Sequence, residues 1–222
     1  MGRLAAVVAA FSALAAAAWG AASPVSPAPD AVVAQPTFRW TLPANETSEA
    51  VYVAADPERT SEGGFVPRNI VASTLVAAAA REWTLDKELY AGRYWWLVRS
   101  FAEDTFETVF SAPTPFAVPV EADIARIEVR RLSRRIGPDD LRVTVGWRTN
   151  AREASVTARL LRSGRLLWTA RERGPSLVGT PRTTVLSWRK PPRIRQGTRL
   201  RLVVALGAGA ATRSATRLVR AP

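Results

Sequence analysis

The chain has no cysteine and no histidine among its 222 residues. These absences exclude disulfides, thiolate nucleophiles, imidazole acids and bases, and zinc sites built from the usual nitrogen and sulfur ligands. Acidic clusters do occur at residues 103–107 and 121–123, but carboxylates at such strand ends are typical of turns. The sequence therefore predicts a protein that is not an enzyme and that holds no metal and no cofactor.

Lysine is nearly absent as well, because Lys87 and Lys190 are the only two and the other basic residues are arginines. The charge is also unevenly divided along the chain. Residues 24–119 carry 7 Lys/Arg against 12 Asp/Glu, a net charge of −5, whereas residues 120–222 carry 23 against 7, a net charge of +16. Such asymmetry predicts two units with different surfaces.

The one long apolar run lies at the N-terminus, where residues 4–22 follow a single arginine and precede a proline-rich stretch. This layout is that of a secretory signal, with cleavage after Gly20 or Ala22. We predict a signal segment at residues 1–22 and an exported protein, either secreted or held at the cell surface. Because the run approaches the ~20 residues that span a bilayer, an uncleaved N-terminal membrane anchor is the alternative.

Residues 23–119 contain short segments rich in β-branched and aromatic residues, separated by turn signals, which predicts an antiparallel sandwich. Over residues 69–83 the alanine content favours a helix as the alternative, whereas Ile70, Val71 and Thr74 favour a strand. Prolines near residue 119 and the reversal of charge predict a boundary at about residue 120. The predicted strand segments are PTFRWTL, AVYVAAD, FVPRNIV, REWTL, RYWWLVRSF and ETVFSAPTPFAV.

Residues 120–222 show a cleaner alternation of apolar and polar residues, in about seven segments joined by turn pairs such as Gly137-Pro138 and Ser163-Gly164. The alternation predicts a second sandwich with arginines on its solvent faces. The arginines placed outward are Arg126, Arg130, Arg142, Arg148, Arg159, Arg199 and Arg201. The fold class is therefore all-β, with two tandem Ig-like antiparallel β-sandwiches, at residues 23–119 and 120–222, after the signal segment.

The order of motifs in residues 23–119 resembles the fibronectin type III-like modules of exported bacterial proteins. The matching residues are Phe38, Trp40, Tyr52, Leu89, Gly92, Tyr94, Ser111, Ala112, Pro113, Phe116 and Val118. In that family a tyrosine at the place of Tyr94 forms a corner hydrogen bond to backbone upstream. The turn here is one residue shorter than in animal members, which leaves that bond open. The resemblance implies a fibronectin type III-like fold for residues 23–119 and a role as a spacer, an adhesion unit or a binding accessory. Residues 120–222 resemble an Ig-like sandwich by pattern only, without a matching motif.

The net charge of residues 120–222 creates a positive potential that attracts anionic polymers. Outside a bacterium such partners are anionic cell-wall polymers, acidic polysaccharides or a lipid surface. Of the outward arginines, we take Arg142, Arg148, Arg159, Arg199 and Arg201 as candidate ligand-binding residues. No glycine-rich or aromatic-interleaved motif accompanies them, so nucleic acid is not expected. The alternative is a solvated surface whose arginine content follows the codon usage of a GC-rich genome.

The segment AGRYWWLVRSF holds four aromatic residues in two registers. Tyr94 and Trp96 alternate with apolar neighbours and are predicted to lie in the core. Trp95 and Phe101 point the other way, together with Leu97. We consider two roles for this second face, a contact with another part of the protein or a platform on which sugar rings stack. The second role would make the chain a carbohydrate-binding accessory module.

Overall fold

The computed structural model describes residues 21–131, 141–188 and 197–220. Within these residues the chain forms sixteen strands and one 3-10 turn at Pro67–Asn69. The strands are β1 Ser23–Ser26, β2 Ala31–Val32, β3 Thr37–Thr41, β4 Glu46–Ala54, β5 Ile70–Leu75, β6 Glu82–Thr84, β7 Gly92–Ala102, β8 Glu107–Phe110, β9 Thr114–Val118, β10 Ala122–Arg131, β11 Leu141–Thr149, β12 Glu153–Arg162, β13 Arg165–Pro175, β14 Arg182–Trp188, β15 Arg199–Ala208 and β16 Ala211–Arg220.

The strands form four sheets, which we number along the chain. Sheet 1 has the order β1-β3-β6, and sheet 2 has the order β2-β9-β7-β4-β5 with β8 also paired to β7. Sheet 3 has the order β10-β11-β14, and sheet 4 has the order β13-β12-β15-β16. All neighbours are antiparallel except the short parallel pair of β2 with β9. The all-β class is confirmed, and its sheets are compatible with β-sandwiches.

Sheets 1 and 2 enclose an aromatic core. The ring of Phe38 on β3 lies 5.1 Å from Trp96 on β7 and 5.7 Å from Phe116 on β9. Trp40, two residues along β3, donates its indole N–H to Ser48 Oγ at 2.9 Å, so this buried polar group is satisfied. The period of two in these strands directs alternate residues inward, as the sequence predicted for Tyr94 and Trp96.

Sheets 3 and 4 enclose a second core, built mainly of aliphatic side chains. Alternate residues of β12 and β15 are fully buried, whereas the residues between them are half-buried or exposed. Trp147 on β11 lies in this core and donates its indole N–H to Thr184 Oγ1 at 3.0 Å. The Ser163-Gly164 turn closes the β12–β13 hairpin with φ angles of 47° and 83°, the positive values that such tight turns require. The Gly137-Pro138 turn lies outside the described residues.

Two local expectations come out differently. The segment FVPRNIV is not one strand, because Pro67 begins the 3-10 turn and β5 starts only at Ile70. The helix alternative over residues 69–83 is wrong, since β5 and β6 occupy most of it. Of the signal segment, Ala21 and Ala22 are described, and Ala22 is buried in the core of sheets 1 and 2. The segment itself and the boundary at residue 120 stay predictions.

Candidate anion-binding face

The arginines that the sequence places outward are all exposed, but they lie on two opposite faces. The outward face of sheet 3 carries Arg126, Arg130, Arg142 and Arg148. The outward face of sheet 4 carries Arg159, Arg199 and Arg201. The structure therefore groups the candidates into two sets and separates Arg142 and Arg148 from the rest.

The orientation of the sheet 4 arginines follows from the burial of their neighbours. Arg159 stands between Ala158 and Leu160, whose side chains are buried against sheet 3. Arg201 stands likewise between two buried leucines of β15. Because successive side chains of a strand point to opposite faces, burial of these neighbours directs both guanidinium groups to the outside.

Three more arginines share this face and were not among the predicted candidates. Arg171 and Arg173 lie on β13, opposite Thr157 and Ser155 of β12, and Arg220 on β16 lies opposite Arg199. Arg171 also donates to Ser155 Oγ at 3.3 Å, which confirms that it points outward. The alternation within TARERGP indicates that Arg171 and Arg173 share one face of their strand. Their position beside Arg159 depends on strand register, which the local sequence does not specify.

The two basic faces differ in their acidic partners. On sheet 3, Glu128 pairs with both Arg126 and Arg130, and Arg148 lies 3.7 Å from Glu88 of the N-terminal half. On sheet 4, Glu153 binds Arg173, with 3.1 Å between Oε2 and Nε. Among the described residues, no acidic side chain pairs with the other five arginines of that face, Arg159, Arg171, Arg199, Arg201 and Arg220.

The β13 side of sheet 4 adjoins an open cleft of about 600 Å³ where the two halves of the chain meet. Arg171 and Arg173 line it together with Arg152 and the backbone of Gly207 and Gly209. The guanidinium carbon of Arg152 lies 4.9 Å from the centre of the Tyr90 ring. This cation–π contact fixes the position of Arg152 and leaves its charge without a carboxylate partner among the described residues.

The same junction is held by Asn150, which is buried. Its side chain accepts a hydrogen bond from the Glu121 N–H at 2.8 Å and donates one to the Pro119 carbonyl at 2.9 Å. Its own carbonyl accepts a hydrogen bond from the Ala91 N–H at 2.9 Å. Asn150 thus ties the connection between the halves to the start of β7 through its side chain and its backbone carbonyl together.

Trp95 and Phe101 lie on the outward face of sheet 2, but the chain itself covers much of that face. The segment 55–69 folds over it and places Phe65, which is buried, against Leu97. The fit is close, because a Cβ added to Gly64 would lie 3.1 Å from the ring of Phe110. Trp95 is half-buried in this cluster. This position corresponds to the first of the two roles considered for that face, a contact with another part of the protein.

The two aromatic candidates are also separated from each other. Arg99 stands between them on the same face of β7 and lies 2.9 Å from Glu49. The guanidinium of Arg93 lies 5.6 Å from the centre of the Trp95 ring. The ring of Phe101 lies 6.3 Å from the ring of Phe106, which is 81% exposed and belongs to no strand pattern in the sequence. Any platform at Phe101 is therefore distinct from one at Trp95.

Tyr94 forms the corner hydrogen bond that the sequence left open. Its hydroxyl donates to the carbonyl of Tyr90, four residues upstream, at 2.8 Å. Burial raises the pKa of Tyr94 above its ordinary value of 10.0, because the phenolate loses hydration, while nearby Arg152 acts in the opposite direction. The corner thus lies at the junction of the two halves, next to the cleft.

The described part of the chain contains neither a cluster of metal ligands nor an assembled Ser-x-x-Lys motif. Within residues 21–131, 141–188 and 197–220, no three carboxylates form a group suited to a metal ion. Ser187 and Lys190 have a Ser-x-x-Lys spacing, but Ser187 lies within strand β14 and Lys190 lies outside the described residues. No described helix is long and apolar enough to cross a membrane.

No protein-family model and no curated protein matches this chain. Among solved structures it is similar to a putative beta-galactosidase from Bacteroides fragilis, at 11% identity and a TM-score of 0.39, over 84% of this chain and 32% of that one. It is also similar to a beta-glucuronidase from Bacteroides uniformis, at 10% identity and a TM-score of 0.33, over 84% and 26% of the two chains. A third similar structure is an alpha-L-rhamnosidase from Dictyoglumus thermophilum, at 12% identity and a TM-score of 0.31, over 90% of this chain and 29% of that one. The chain spans about a third or less of these proteins, and similarity at this level leaves its function open.

Proposed function

We propose that this chain is an exported, non-enzymatic β-sandwich protein of the bacterial surface that binds anionic polymers through the outward face of sheet 4. One observation carries the proposal. That face presents six arginines and a single glutamate, and five of the arginines have no acidic partner among the described residues. The outward face of sheet 3 has four arginines, and three of them lie beside an acidic side chain.

The chemistry of arginine suits such a partner. The guanidinium keeps its charge at every physiological pH and offers five N–H donors in a planar fork that matches carboxylate and phosphate oxygens. Each exposed contact is weak and is screened by salt, so useful affinity requires several contacts at once. A row of uncompensated arginines on a rigid sheet meets that requirement.

The N-terminal half fits the role of a spacer that we infer from its resemblance to fibronectin type III-like modules. The corner hydrogen bond of Tyr94 and the inward positions of Phe38 and Trp40 support this assignment. We place signal cleavage after Gly20, because cleavage after Ala22 would remove a residue that packs in the core. Ser23 then begins β1 almost at the start of the mature chain.

The test compares two double variants with equal loss of charge. Arg159→Gln with Arg201→Gln removes arginines from sheet 4, and Arg126→Gln with Arg142→Gln removes them from sheet 3. Binding of the chain to poly-L-glutamate is measured by calorimetry over a range of salt concentrations. We expect about a tenfold or greater loss of affinity for the sheet 4 variant at low salt and less than about twofold for the control. Equal losses, or no binding by the original chain at low salt, would contradict the proposal.

A second candidate function is carbohydrate binding on the outward face of sheet 2, supported by the exposed ring of Phe106 beside Phe101. Phe106 adopts a φ of 55°, which an aromatic residue rarely adopts. Neutral glycans on an array distinguish this function from the first. The carbohydrate hypothesis expects Trp95→Ala or Phe101→Ala to abolish glycan retention while poly-L-glutamate binding stays intact. Glycan retention unchanged in both variants excludes these residues as the platform.

A further inference from the structure

The six arginines on the outward face of sheet 4 form a single diagonal row across its four strands. Arg171 on β13 lies opposite Thr157 of β12, and Arg159 is two residues farther along β12. Arg201 on β15 lies opposite Leu161, again two residues farther in the same direction. Each of these two steps to the next strand thus moves the charge by the same amount along the strands.

The row continues at both ends. Beyond Arg171, the next arginine on the same face of β13 is Arg173. Beyond Arg201, at the other end, the next one on the same face of β15 is Arg199. Arg220 of β16 lies directly opposite Arg199 and completes it. The order across the sheet is therefore Arg173, Arg171, Arg159, Arg201, Arg199 and Arg220.

The spacing along this row is nearly even. With strands about 4.8 Å apart and a rise of about 3.4 Å per residue, most successive Cα positions lie about 7 to 8 Å apart. The whole row is about 30 Å long by the same geometry. The outward residues on either side of its centre are uncharged, including Thr157 on β12 and Val203 on β15. The positive charge of this face is therefore arranged along a line and is not spread evenly over the sheet.

We infer that the ligand of this face is a single extended polyanionic chain that lies along the row. This inference rests on the proposed function and adds the form of the ligand. A chain with a negative group every 7 Å or so, such as an extended polymer of acidic units, can pair with consecutive arginines without bending. A lipid bilayer responds to the number of exposed cations and not to their order. The row ends at Arg173 beside the cleft, where Arg152 extends the positive charge toward the junction.

A swap that keeps composition and net charge tests the order of the row directly. The double variant Arg159→Ser with Ser214→Arg moves one arginine to an exposed position of β16 on the same face, opposite Ala205. The new charge lies about 14 Å from Arg171 and from Arg201, so the row has a gap at its centre. The control, Arg126→Ser with Ser214→Arg, adds the same charge to the face and leaves the row complete. Thermal unfolding is measured first to check that both variants fold.

The probe is a series of glutamate oligomers of increasing length. An extended chain spans about 3.3 to 3.6 Å per residue, so about nine residues cover the row. We expect affinity to rise steeply up to that length and only slowly beyond it. For the nine-residue oligomer, we expect the swap to weaken binding about fivefold or more and the control to bind within about twofold of the original chain.

The outcomes separate the inference from the function on which it rests. Unchanged affinity in the swap, with strong binding by the original chain, overturns the row and leaves the anion-binding face in place. If the chain binds vesicles of anionic lipid more tightly than the oligomers, and the swap variant binds the vesicles equally well, the ligand of the face is a bilayer. That result also overturns the row. No binding to either probe at low salt removes the proposed function as well.

Discussion

The outward faces of sheet 2 and sheet 4 occupy equivalent places in their halves, yet the chain treats them in opposite ways. Sheet 2 is covered by its own segment 55–69, whose Phe65 completes a small apolar cluster around Leu97. Within the described part of the chain nothing covers the outward face of sheet 4, and its arginines are exposed. The outer face of one sheet thus contributes to stability, whereas the outer face of the other is available for a partner.

The comparison shows why aromatic and charged residues on a strand require different interpretations. An apolar side chain that points outward is stabilised when another part of the chain covers it, as Phe65 covers Leu97. An arginine gains little from such cover, because burying its charge without a partner costs free energy. Unpaired arginines on a folded sheet are therefore a better indication of a binding surface here than the aromatic residues are.

Removing the cover of sheet 2 gives the largest expected effect. Phe65→Ala should lower the free energy of unfolding by about 3 to 5 kcal/mol, because a buried ring leaves a cavity. Denaturant titration measures this loss, while poly-L-glutamate binding of the folded variant should remain unchanged. A loss below about 1 kcal/mol would mean that segment 55–69 contributes little to the fold.

The junction between the two halves depends on Asn150. Asn150→Ala should destabilise the chain by about 2 to 4 kcal/mol, since the Glu121 N–H and the Pro119 carbonyl lose their partner. Asn150→Asp keeps the acceptor for Glu121, but it replaces the donor to Pro119 with a carboxylate oxygen that faces the Pro119 carbonyl, so it too should destabilise the chain. Thermal unfolding should place both variants below the original chain.

The corner hydrogen bond of Tyr94 has a smaller effect that depends on pH. Tyr94→Phe removes the bond to the Tyr90 carbonyl and should cost about 1 kcal/mol near neutral pH. Because burial raises the pKa of Tyr94, the unfolded chain ionises first, and the stability from the neutral phenol falls as pH rises above 10.0. Unfolding measured across that range should show a shallower alkaline decline in the phenylalanine variant. An identical decline in both proteins would contradict the raised pKa.

The smallest expected effect concerns the one acidic residue of the sheet 4 face. Glu153→Gln should strengthen binding to poly-L-glutamate about two- to threefold, because Arg173 loses its carboxylate partner and a repulsive charge disappears. Glu128→Gln on sheet 3 removes an equal charge and should leave the affinity nearly unchanged. Stability should change little in either variant, which separates this face from that of sheet 2. A weaker interaction in the Glu153 variant would contradict the account.

Much of the fold follows from local patterns. Alternation predicts about seven strands in residues 120–222, and it places Arg159 and Arg201 outward because their neighbours are apolar. The turn chemistry of Ser163-Gly164 predicts the hairpin between β12 and β13. The predicted pattern fails at Pro67, where a proline with a fixed φ begins a 3-10 turn.

The candidate site is harder to predict because it depends on register. Arg171 and Arg220 join Arg159 only through the pairing of four strands, and β12 and β15 are separated by about 40 residues of chain. A shift of one residue in any pairing would move the charges out of line. The cover of sheet 2 is also a long-range contact, so no local pattern distinguishes the buried Leu97 from an exposed one.

The most direct test of the account compares Arg159→Gln with Arg142→Gln in their binding to poly-L-glutamate as salt increases. Both variants lose one exposed arginine, from sheet 4 and sheet 3 respectively. The account predicts that the slope of log affinity against log salt falls by up to about one for Arg159→Gln and stays unchanged for Arg142→Gln. Equal changes in slope would show that net charge alone attracts the polymer, and would contradict a defined binding face on sheet 4.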